Sequence, residues 1–122
     1  MKSIKNYWLV GANWAGENQA DMFYRRGYWE MGYDDDEKPI LTKRRNKIKI
    51  GDRVAIKTMD GQGQSTITIK AIGIVKDVAE RKIYIEWILK DLDRKVESKG
   101  AFATIHGPFN SSDIWINKIF CL

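Results

Sequence analysis

Flat aromatic rings and a side-chain amide crowd the first third of this chain, a combination suited to gripping a planar, polar-edged ligand. Trp8, Trp14 and Trp29 fall there, with Tyr7, Phe23, Tyr24, Tyr28 and Tyr33 around them. An indole face stacks on a flat heteroaromatic group, and a carboxamide supplies both a donor and an acceptor to its edge. One short segment of a 122-residue chain cannot bury every one of these rings. Trp29 and Trp14 are therefore expected to line a pocket, with Tyr33 as a further wall. Asn13 and backbone groups near Gly11 are expected to meet the ligand's polar edge. The competing assignments are Trp29 in the core and Asn13 as a helix cap. Trp8, Trp87 and Trp115 are assigned to the core, and His106 to the surface.

Charge is the second feature with chemical content. The formal net charge is +5, and between Lys43 and Lys57 seven Lys and Arg residues face Asp52 alone. Arg44, Arg45 and Lys47 are the candidate phosphate contacts of this run, against the alternative of a solvated loop. An acidic knot, Asp34, Asp35, Asp36 and Glu37, precedes it.

Catalytic and metal chemistry find little here. His106 is the single histidine and Cys121 the single cysteine, so neither a zinc cluster nor an internal disulfide is expected. The acidic knot lacks the spacing of a calcium loop. Gly61-Gln62-Gly63 is not followed by the Lys-Ser/Thr of a phosphate loop. No catalytic residue, metal or cofactor is expected, and no enzymatic activity. The N-terminus reads as lacking a signal peptide, and no apolar run approaches a membrane span of ~20 residues, so a cytoplasmic location is expected.

The elements that must position these residues follow from periodicity. Residues 6–11 read as a strand ended by Gly11, and residues 17–26 as a short helix stopped by Gly27, with Asn13 or Asn18 as cap. Residues 28–47 read as mostly loop. A turn at Gly51-Asp52 leads into a strand, and a loop at residues 60–64 leads into the long strand 66–78. There Ile67, Ile69, Ala71, Gly73 and Val75 are placed on one face, with a bend at Gly73. Strands are also read at residues 82–90, 102–106 and 114–120. The expected architecture is α+β: one domain over residues 1–122, a small, mostly antiparallel β-barrel with a flanking N-terminal helix.

In that order, the segments NYWLVGANW, GYWEMG at residues 27–32, KIGDRVAIK at 49–57, IKAIGIVKDV and IYIEWILKDL resemble the EVE and YTH branches of the PUA-like superfamily. The likeness runs from Tyr7 to Phe120 and is nearest to the EVE-like N-terminal domains of McrB-type modification-dependent restriction proteins. It implies a PUA-like barrel whose mouth accepts a flipped, modified base. By position Trp29 matches a cage wall, Asn13 and Trp14 the edge-reading junction, and Trp87 a packing residue. The chain departs from the YTH pattern at residues 77–82, where the second cage Trp is missing; Trp14 or Tyr33 would have to supply that wall. The implied function is recognition of a methylated base, in DNA ahead of RNA, with a fused or separate GTPase–nuclease as partner and no membrane. The alternatives are a modified-RNA module and a small-ligand or protein-interaction barrel.

Overall fold

The computed structural model describes residues 5–61 and 63–120. The chain runs β1 (Tyr7–Gly11), β2 (Asn13–Trp14), β3 (Glu17–Asn18), α1 (Ala20–Arg26), β4 (Tyr28–Glu30), α2 (Pro39–Arg45), β5 (Arg53–Met59), β6 (Thr66–Ala79), β7 (Lys82–Leu89), β8 (Arg94–Glu97), β9 (Ile105–Phe109) and α3 (Ile114–Phe120). Seven strands form a curled, mostly antiparallel sheet in the order β4-β7-β6-β5-β1-β9, with β8 beside the first half of β6; the result is a half-barrel with three helices among the described residues. Among the described residues, only β1 and β5 pair in parallel. The short β2–β3 hairpin stands apart from that sheet.

Alternation builds two cores. From β1, Trp8 and Val10 enter one and Tyr7 and Leu9 the other; β5 splits the same way, with Val54 and Ile56 against Ala55. Phe23 of α1 and Leu41 of α2 pack on the first face, and Trp115, Ile116, Ile119 and Phe120 of α3 on the second. Two-sided burial is why these strands read as nearly continuous apolar runs.

The long strand departs from its expected faces. Ile67 and Ile69 belong to the second core, while Ala71 and Val75 belong to the first. The switch is a bulge: Ile56 pairs with Ala71 but Lys57 with Ile69, so Lys70 is the extra residue. One extra residue inverts the alternation and bends the strand. Gly73 adjoins a second register shift, between Ile72 and Gly73 against β7; a Cβ there would lie 2.3 Å from Ile85 Cγ2 and 2.9 Å from the Glu86 carbonyl oxygen.

Other assignments change as well, and the strand expected at residues 102–106 lies at Ile105–Phe109. Residues 28–47 hold β4 and α2 rather than mostly loop; α2 starts with Pro39 in its first turn and buries Leu41 and Arg45. Residues 114–120 form α3, not a strand, because Trp115, Ile116, Ile119 and Phe120 recur at helical spacing and Asp113 Oδ1 accepts the Trp115 and Ile116 N–H groups. β8 was not foreseen. The N-terminal helix is shorter than expected because Glu17 and Asn18 close the hairpin; Asn18 Oδ1, not Asn13, accepts the Ala20 N–H at 2.9 Å. Gly27 ends α1 as expected, its N–H bonded to Phe23 O.

Asp52 locks the turn into β5. It is fully buried, and its carboxylate accepts the Trp8 indole N–H (2.9 Å) and the backbone N–H groups of Asn6 and Lys49 (both 3.1 Å). Among the described residues, no helix is long and apolar enough to cross a membrane.

Candidate functional site

Where β1 ends, the parallel pairing with β5 carries Gly11 alongside Lys57. The chain then leaves the sheet for the β2–β3 hairpin, while Phe102, Ala103 and Thr104 approach from just before β9. A cleft of about 280 Å³ opens between them. That lies just below the ~300–1,000 Å³ of ligand pockets and leaves room for a small planar group.

Gly11, Asn13 and Tyr33 border this cleft, so three of the five expected base-binding residues come together. Asn13 is exposed at the start of the hairpin. Gly11 contributes space more than hydrogen bonds: its N–H is taken by Thr104 O at 2.8 Å, and its carbonyl accepts the Trp29 indole N–H at 2.8 Å. Of the backbone groups near Gly11 expected to meet the ligand's edge, those of Gly11 itself are already engaged.

Trp29 requires the largest correction. Its side chain is fully buried, with 0% exposure, among the residues of the first core. It is a strut that ties β4 to the end of β1, not the wall of an open pocket. Trp14 is half-buried but also lies off the cleft lining; its Nε1–H donates to Glu30 O at 3.1 Å and its ring meets Phe23 edge-on at 5.8 Å. A Cβ at Gly32 would sit 2.4 Å from Trp14 Cδ1, so the indole is seated directly on that glycine. The aromatic faces that do border the cleft are Tyr33 and Phe102, the latter 49% exposed.

The expected phosphate contacts separate. Arg45 is buried and paired with Asp35 at 2.7 Å, so its charge holds the acidic knot to α2 and is not offered to solvent. That pairing also keeps the Asp35 carboxyl below its usual range. Arg44 is half-buried and donates to Ile105 O at 2.6 Å, tying α2 to β9. Lys47 is exposed just after α2 and remains available to a polyanion.

The group that sequence reasoning missed is Lys57. It borders the cleft yet is only 4% exposed, on the strand held between β1 and β6. Loss of water around the ammonium lowers its pKa from 10.5 to about 8. His106, next along β9, is held neutral: burial first, then the positive charges of Lys57 and Arg44, lower its pKa to about 4. It is half-buried rather than on the surface, and its Nε2 accepts the Ala103 N–H at 2.9 Å. The available signal was a lysine continuing the apolar run of a strand buried on both faces, which the count of basic residues absorbed. Among the described residues, no three His, Cys, Asp or Glu side chains gather as a metal would require; Cys121 lies outside the described residues. Compared with protein-family models, with curated proteins and with solved structures, the chain matches none.

Proposed function

We propose that this chain is a PUA-like nucleic-acid-binding domain that takes one extruded, methylated base, in DNA ahead of RNA, into the cleft at the end of β1. The observation that carries the reading is the cleft itself: large enough to admit a base and lined by the aromatic residues Tyr33 and Phe102, by Asn13 and by a lysine. The order of sequence motifs that resembles the EVE and YTH branches supports the same reading. Energetics allow it. Flipping a base costs a few kcal/mol, and each aromatic stack returns about 1–3 kcal/mol. Two faces and one or two edge contacts leave a surplus, and exposed lysines such as Lys47 add a sequence-independent attraction to phosphates. The domain carries out no reaction in this scheme; it marks a site for a fused or separate GTPase–nuclease.

The test is a binding panel of DNA duplexes and RNA strands, each with one methylated base or none, titrated across roughly 50–200 mM salt. Tighter binding of a methylated duplex, steeply weakened by salt, is expected, as is loss of preference for the methylated duplex on Asn13→Ala or Tyr33→Ala. Preference for methylated RNA would reassign the substrate, and salt-insensitive binding without preference for any oligonucleotide would overturn the proposal.

A further inference from the structure

The cleft holds a positive charge with nothing to answer it. No Asp or Glu is among its described lining residues. Lys57 Nζ forms no hydrogen bond or ion pair with a described residue, and burial alone accounts for its perturbation. Arg81 Nε is the one side-chain nitrogen or oxygen among the described residues that is both sealed from solvent and unbonded, so Lys57 Nζ is not sealed. His106, close enough to feel the charges of Lys57 and Arg44, is neutral, and both His106 and Arg44 spend hydrogen bonds on the backbone. Buried ammonium groups are retained when something pairs with them. Lys57 Nζ, open to the cleft and without a partner among the described residues, can pair with an acceptor that a ligand brings.

An ammonium is donor-only, which limits the ligand edges it can face. Adenine offers only separate ring nitrogens, N1 and N7 each beside the N6 amine donor and N3 by itself; guanine presents O6 and N7 together, and thymine presents O4. Cytosine likewise joins its O2 carbonyl to the N3 acceptor. We infer that Lys57 is the specificity-determining residue of the cleft, donating to a carbonyl oxygen on the bound base, so that the domain selects carbonyl-bearing bases and discriminates against adenine and its methylated form. This rests on the base-binding reading above.

The experiment compares the wild-type chain with Lys57→Met and Lys57→Gln against three duplexes: one methylcytosine, one methyladenine, and unmodified. Folding of each variant is checked by thermal melting. The wild type is expected to favour methylcytosine over methyladenine, and Lys57→Met to weaken methylcytosine binding by roughly 10- to 100-fold, the loss of one hydrogen bond from a charged donor. Lys57→Gln, which keeps a donor, should fall between the two. A preference for methyladenine, or a Lys57→Met variant that is folded and ranks the duplexes as the wild type does, overturns the role of Lys57 while leaving base binding intact. Absence of discrimination between methylated and unmodified duplexes in the wild type overturns the base-binding reading, and the inference falls with it.

Discussion

Replacing Lys57 by methionine should make this protein more stable while disabling its site. The side chain is 4% exposed on an inner strand, and loss of hydration brings its pKa from 10.5 to about 8. That gap corresponds to about 3 kcal/mol of native-state destabilisation at neutral pH. The sign follows from proton counting. Between pH 8 and 10.5 the unfolded chain holds a proton that the folded chain has released, so wild-type stability climbs with pH across that window. Below pH 8 both states are protonated and the full penalty applies. Methionine fills similar volume with no charge to desolvate. At pH 7 the variant should therefore gain about 3 kcal/mol, equivalent to a melting temperature higher by about 10 °C. The advantage should shrink steadily above pH 8 and nearly vanish by pH 10.5. Urea unfolding of both proteins at a series of pH values measures this directly. Equal stabilities at pH 7, or a gain that persists unchanged at pH 10.5, would refute the idea that an unpaired buried ammonium is kept at the cost of stability. Such a cost at a ligand site is the ordinary trade between function and stability.

Other outcomes follow from the same geometry. Trp29→Ala should destabilise the fold by about 3–5 kcal/mol, seen as an early denaturation midpoint, because it empties a fully buried site and frees the Gly11 carbonyl. Asp52→Ala should cost about 3 kcal/mol or more, since three donors lose their acceptor in a buried turn. Gly32→Ala should shift the tryptophan emission spectrum, because the new Cβ would overlap Trp14. The His106 imidazole should titrate near pH 4 by NMR; a midpoint near 6.5 would show that the ring is not shielded beside Lys57 and Arg44. Its stabilising contribution is full above pH 6.5 and falls as pH drops toward 4, because the unfolded chain takes the proton first.

Legibility varied with how local the signal was. β1, β5, β6 and β7 could be read almost to their ends, because apolar runs bounded by glycine and polar turns depend on neighbouring residues only. The stop of α1 at Gly27 is equally local. α3 was misread because IWINKIF is apolar enough for a strand, and its helical register shows only once a sheet face lies beneath it. α2 hid in a stretch whose charges suggested a loop; its burial of Arg45 depends on Asp35, ten residues back.

The same division governs the site. Sequence by itself determined that this chain is an aromatic-rich, basic α+β protein whose region around Gly11, Asn13 and Tyr33 could border a ligand, since residue type and turn chemistry carry that much. Which rings stand open and which serve as struts was decided only in three dimensions: Trp29 is sealed because β4 docks on β7 and its indole reaches back to β1. Lys57 came to border the cleft for a like reason. A bulge at Lys70, a parallel partner forty-six residues away at Gly11, and the approach of Phe102 and Thr104 together enclose it. Burial and charge isolation are properties of that assembly, and no window of sequence contains them.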